Sequence, residues 1–100
     1  PSKKVQKNKF GACLMKEPEL VAECVGSMIN ATQLPVSIKT RIGYDDVEDF
    51  DFLKNFISTL KKEGVKKFII HARRAILQKL SPKQNLSIPP LKYDFVYKLK

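Results

Sequence analysis

Val36-Ser37-Ile38-Lys39-Thr40-Arg41-Ile42-Gly43 decides how this chain is read. Val36, Ile38, Thr40 and Ile42 alternate with Ser37, Lys39 and Arg41, the period-two pattern of a strand with one apolar face. Roughly thirty residues on, the length of one βα unit, Phe68-Ile69-Ile70-His71-Ala72-Arg73 repeats the design, an apolar run ending in an imidazole and a guanidinium. In a parallel α/β fold, residues at the carboxyl ends of strands converge on the ligand. Two such endings predict adjacent walls of one site.

The flanking residues supply helices. Pro18, acceptable in a first turn, opens a helix predicted over 18–30. Its apolar stripe is Leu20, Val21, Cys24, Val25 and Met28, with Cys24 expected as a small core residue. Pro35 bars continuation into the strand over 36–42. Asp45 or Asp46 is expected to cap a second helix near 47–63, with Phe50, Leu53, Phe56, Ile57 and Leu60 as its stripe. Gly64 stops that helix before a strand over 67–71. A long link follows, carrying Ser81-Pro82-Lys83-Gln84-Asn85 and Ile88-Pro89-Pro90-Leu91, and Tyr93 begins another helix. Residues 1–16 show no period.

The order loop–α–β–α–β–loop–α argues for an α/β fold with parallel strands and crossover helices. A whole (β/α)₈ TIM barrel needs about 250 residues, whereas this chain has 100, so the expectation is a partial barrel forming one partial domain over 1–100. Pro1-Ser2-Lys3-Lys4 shows no initiator Met and no signal core, and is read as the inside of a longer product. No stretch has the apolar length to span a membrane. Gly11, Gly26, Gly43 and Gly64 are scattered, so no glycine-rich phosphate cradle of the Rossmann or P-loop kind is present.

Nineteen Lys and Arg against ten Asp and Glu leave a formal charge of +9. The cations crowd Lys3, Lys4, Lys7, Lys9 and Lys16, then Lys66, Lys67, Arg73, Arg74, Lys79 and Lys83; the acids gather at Asp45, Asp46, Glu48, Asp49 and Asp51. That polarity suits a polyanionic partner such as RNA, or simply solvated lysine-rich faces. Cys13 and Cys24 are too few and too far apart for a CxxC metal site or a disulfide framework, and reduced cytosolic thiols are the default.

Lys39 shares the Ser37–Arg41 side of its strand. Facing a barrel interior, an unpaired ammonium costs several kcal/mol unless an anion or acceptor meets it; on an open edge it would rest in water. Arg41, nearer the rim, suits bidentate recognition of a base or phosphate. His71 is the only histidine, and with no companion at ligand spacing zinc is not expected. It is read as a hydrogen-bonded structural residue or as a contact to a cofactor edge. Arg73 and Arg74 could face phosphate or serve loop solubility. Cys13 could be an activated thiol or a packing residue.

These segments resemble the tRNA-dihydrouridine synthases, nearest their A-type branch. The resemblance runs along nearly the whole chain. It is carried by Pro1-Ser2 with Val5-Gln6, Phe10-Gly11-Ala12-Cys13-Leu14-Met15, Leu20-Val21-Ala22 with Cys24, and Val36 through Gly43. It continues through Phe68 to Arg73, Leu80-Ser81-Pro82-Lys83 with Asn85, and Ile88-Pro89-Pro90-Leu91.

The resemblance implies a (β/α)₈ barrel holding FMN, reduced by NADPH, that converts D-loop uridines of the 20/20a type in tRNA to 5,6-dihydrouridine. It further implies a cytoplasmic, monomeric parent enzyme with a helical domain that helps hold tRNA. Matched position by position, Lys39 and His71 contact FMN, Arg41 lies beside the uracil and Lys83 touches tRNA; Arg73, from its place just after the second strand, is added to the expected tRNA contacts. Leu86 stands where a basic residue is expected. The family's proton-donating cysteine would precede Pro1, and neither Cys13 nor Cys24 matches it, so this chain carries no catalytic residue and is expected to be inactive alone. Two rivals are a non-catalytic basic RNA-binding domain and a piece of another FMN-dependent barrel oxidoreductase.

Overall fold

The computed structural model describes residues 11–77 and 89–100. Lys83, the lysines over 3–9 and Lys79 lie outside the described residues. A 3₁₀ turn over Gly11–Lys16 precedes helix α1, Pro18–Ala31, and strand β1, Ser37–Arg41. Helix α2, Phe50–Lys61, strand β2, Lys67–His71, and helix α3, Tyr93–Leu99, follow. β1 and β2 pair in parallel with α2 between them in the chain. That βαβ unit is the repeat from which parallel α/β folds, (β/α)₈ barrels among them, are built, and it is what the expected partial α/β barrel requires.

The alternation in both strands is reflected in their burial. Ile38 and Phe68, register partners, pack on Met15, Ala22, Val25, Phe56, Leu60 and Val65. Ile70 packs on a second cluster of Ile42, Leu53 and Phe95. Helix α2 feeds both, because its expected stripe turns Phe56 and Leu60 to one cluster and Leu53 to the other. Phe50 meets Phe95 of α3 edge to face at 5.9 Å, which seats the last helix beside the strand ends. On the opposite side of the sheet Ser37, Lys39, Lys67 and Ile69 are exposed.

Two expectations need correction. Cys24 is not a core residue: it is exposed, and Leu20 and Met28 on the same row are 43% and 54% exposed. The buried side of α1 is Ala22 and Val25, flanked by Val21 and Ile29. Apolar residues cover about half of this helix's circumference, so their period does not choose the arc. Packing does: bulky Phe56 and Leu60 fill the interface and leave room opposite for the small Ala22 and Val25.

The cap of α2 is likewise neither Asp45 nor Asp46. Asp49 caps it, its carboxylate accepting from Phe52 N at 2.7 Å, and the helix starts at Phe50. The preceding residues are taken up by a narrow turn in which Tyr44 N donates to Val47 O at 3.0 Å and Val47 N to Tyr44 O at 2.8 Å. Asp45 sits there with φ 47 and accepts from Leu77 N at 2.7 Å, while Asp46 is exposed. The turn folds back so closely that a Cβ on Gly43 would land on the Val47 carbonyl oxygen. Gly64, with φ +108, ends the α2 region as expected. Among the described residues no helix is long and apolar enough to cross a membrane.

Candidate functional site at the strand ends

Parallel register places the predicted contact residues. Arg41 pairs with His71 and Lys39 with Ile69, and register partners in a parallel ladder project to the same side of the sheet. Period two puts Lys39 on that side with Arg41. The amine, the guanidinium and the imidazole therefore share the exposed side, away from the helices.

The ladder extends beyond the strands. Ile42 N donates to Arg73 O at 3.4 Å, Ala75 N to Gly43 O at 2.9 Å, and Asp45 N to Ala75 O at 2.7 Å. Arg73 N turns back to His71 O at 2.7 Å, which bends the chain sharply after the imidazole. The loops after β1 and β2 are thus laced together, and Arg73 is carried to the same neighbourhood as His71.

Electrostatics records that convergence. Partial desolvation, then the positive charges of Arg41, Arg73 and Lys39, push His71 below its ordinary value. The ring is accordingly held neutral near pH 7, able to donate from one nitrogen and accept at the other. Among the described residues Lys39, Arg41 and Arg73 have no ion-pair partner. Arg73 Nε is buried without a hydrogen-bond partner among them. Cations drawn together with no carboxylate paired to them among the described residues can, by their chemistry, attract an anion or the carbonyl edge of a planar ring.

Arg74 differs from its neighbour. It is committed to a protein carboxylate, Nη1 donating to Glu48 Oε2 at 2.8 Å. Lys92, at the foot of α3, reaches Glu48 Oε1 at 3.4 Å, and its backbone N donates to Ala72 O at 2.7 Å. Arg41 Nη1 donates to the Arg74 carbonyl at 3.4 Å. In the sequence Glu48 reads only as one of the acids before α2; its partners are distant in the chain, and no short-range spacing signals them.

Cys13 is half-buried on the 3₁₀ turn and Cys24 faces solvent from α1. Among the described residues no group of three His, Cys, Asp or Glu could hold a metal ion.

Comparison with known proteins gives a consistent picture. A family model described as dihydrouridine synthase (Dus) matches residues 1–100. The chain is 58% identical over 100 residues to the tRNA-dihydrouridine(20/20a) synthase of Shewanella oneidensis, which covers all of this chain and 30% of that protein. It is 54% identical to the enzyme so named from Vibrio cholerae, with 31% of that protein covered, and 49% identical to that of Synechocystis, with 30% covered. The chain thus spans about three tenths of the length of these curated relatives.

Proposed function

The chain belongs to the dihydrouridine synthase family, and from that membership we propose that it forms the central part of an FMN-dependent tRNA-dihydrouridine synthase acting on D-loop uridines. The observation that carries the reading is the shared side of Lys39, Arg41 and His71, joined by Arg73, with no carboxylate paired to these cations among the described residues.

The donor set fits FMN. Lys39 offers an ammonium that would offset negative charge on the polar edge of a reduced flavin, and the neutral His71 ring would hydrogen-bond that edge. When bound and reduced by NADPH, the flavin would supply hydride to one uracil carbon, and a proton delivered to the neighbouring carbon would complete the saturation of the ring. Arg41, one strand position beyond Lys39 on its face, binds and orients the uracil through its planar fork, and its charge stabilises the enolate-like character that develops on the base. Arg73, and Lys83 outside the described residues, are assigned to contacts with the tRNA backbone. The target uridine leaves its stack to reach this mouth. The proton donor is assigned to neither Cys13 nor Cys24.

The test is made in a full-length synthase carrying this segment. Lys39→Ala and His71→Ala are expected to lower bound flavin, read by absorbance, and dihydrouridine formation on tRNA transcripts. Unchanged flavin content and turnover in both variants would overturn the assignment. Retained tRNA binding by a wild-type protein that neither holds flavin nor reduces uridine would favour the RNA-binding alternative.

A further inference from the structure

Glu48 stands out among the acids. Its side chain is only 11% exposed, and two cations from distant parts of the chain reach it. One oxygen takes Arg74, from the loop after β2; the other takes Lys92, at the entrance to α3. The arrangement divides the cations around the strand ends. Arg74 and Lys92 are neutralised on the protein side, while Arg41, Arg73 and Lys39 have no ion-pair partner among the described residues. The chain of contacts continues to the site, because the residue whose guanidinium Glu48 holds is also the one whose carbonyl accepts from Arg41 Nη1 at 3.4 Å.

We propose that Glu48 is a positioning residue for Arg41. By clasping Arg74, it holds the backbone over 72–75 so that the Arg74 carbonyl orients the Arg41 guanidinium toward the strand-end mouth. The geometry suits a carboxylate: one oxygen accepts a hydrogen bond from Arg74, and the other, which accepts none, lies within ion-pair distance of Lys92. Two separate cations must be met at once, and a part-buried carboxylate with an oxygen for each does so in a single side chain. It also explains the fold-back turn over Tyr44–Val47, which brings Glu48 beside the β2 loop before α2 begins. Gly43, whose missing Cβ admits that turn, belongs to the same device. The inference rests on the proposed role of Arg41 at the uracil.

A double-mutant cycle between Glu48→Gln and Arg41→Ala in the full-length synthase, read as kcat/KM on a tRNA transcript, tests it. Glu48→Gln alone is expected to lower kcat/KM about tenfold, the scale of a small misplacement of an orienting group. The loss should fall on kcat more than on KM, with flavin content kept. In the Arg41→Ala background, Glu48→Gln should then change little, since the group it positions is gone. Arg74→Gln should reproduce the single-variant loss and the non-additivity, and serves in place of Glu48→Gln if that variant folds poorly. Fully additive losses, or a fall in thermal stability with kcat/KM unchanged, would overturn the positioning role while leaving Arg41 at the site. An Arg41→Ala enzyme of normal kcat/KM would overturn the site reading itself and the inference with it.

Discussion

Arg41 and His71 are register partners at the ends of the two parallel strands, so a guanidinium and an imidazole stand side by side on the exposed side of the sheet. The proximity matters to both. The cation disfavours protonation of the ring, and a neutral ring leaves the cation free to attract an anion rather than repel a second charge.

That relationship sets a pH dependence. His71 titrates below its ordinary value of 6.5, so the unfolded state binds a proton more readily than the folded one as pH falls past that value. Its contribution to stability is fully present above the unfolded value and is lost as pH drops toward the lower folded one. An NMR titration of the His71 ring should give a midpoint below 6.5, and Arg41→Ala should move it upward. A midpoint unmoved by Arg41→Ala would contradict the coupling. An anion seated among these cations should raise the midpoint, so its binding takes up protons in this pH range.

Salt dependence tests the cationic mouth separately from the chemistry. If Arg73 contacts a tRNA phosphate, Arg73→Gln should weaken tRNA binding and reduce the slope of log K against log salt by about 0.7–0.9. Arg74→Gln should leave that slope nearly unchanged, because its charge is already matched by Glu48. Equal changes in slope for the two variants would refute the division of labour between them.

The cap of α2 gives a stability prediction that contrasts neighbours. Asp49→Ala removes the acceptor for Phe52 N and should cost about 0.5–2 kcal/mol. Asp46→Ala, at an exposed position, should stay within about 0.5 kcal/mol. Denaturant melts of the two variants decide, and a larger loss for Asp46 would put the cap in the wrong place.

Gly43 admits no side chain. Gly43→Ala drives a methyl into the Val47 carbonyl and should destabilise by about 1–3 kcal/mol while opening the turn before Glu48. Hydrogen exchange at the Val47 amide, which donates to Tyr44 O, should accelerate in that variant. Unchanged protection there would mean that the turn accommodates the methyl.

Much of the fold was legible because its signals are local. The strand over 67–71 and the helix beginning at Pro18 were read to the residue at those ends, since alternation, proline and glycine act over a few neighbours. Lys39, Arg41 and His71 were legible as strand-end polar groups for the same reason. The buried arc of α1 was not, because an apolar band wider than its contact leaves several rotations open, and Cys24 was placed inside when it faces out. Nor was Asp49 distinguishable from Asp45 and Asp46 as a cap, since the choice depends on a turn pinned by Ala75 and Leu77, about thirty residues away.

Period and punctuation in the amino-acid order were enough to set the α and β segments and the polar tips of both strands. Only folding in three dimensions decided which tips are neighbours, which cations keep their charge available and which carboxylate holds the others. Ladder register and ion pairing join residues far apart in the chain, and their energies depend on distances that no local pattern records.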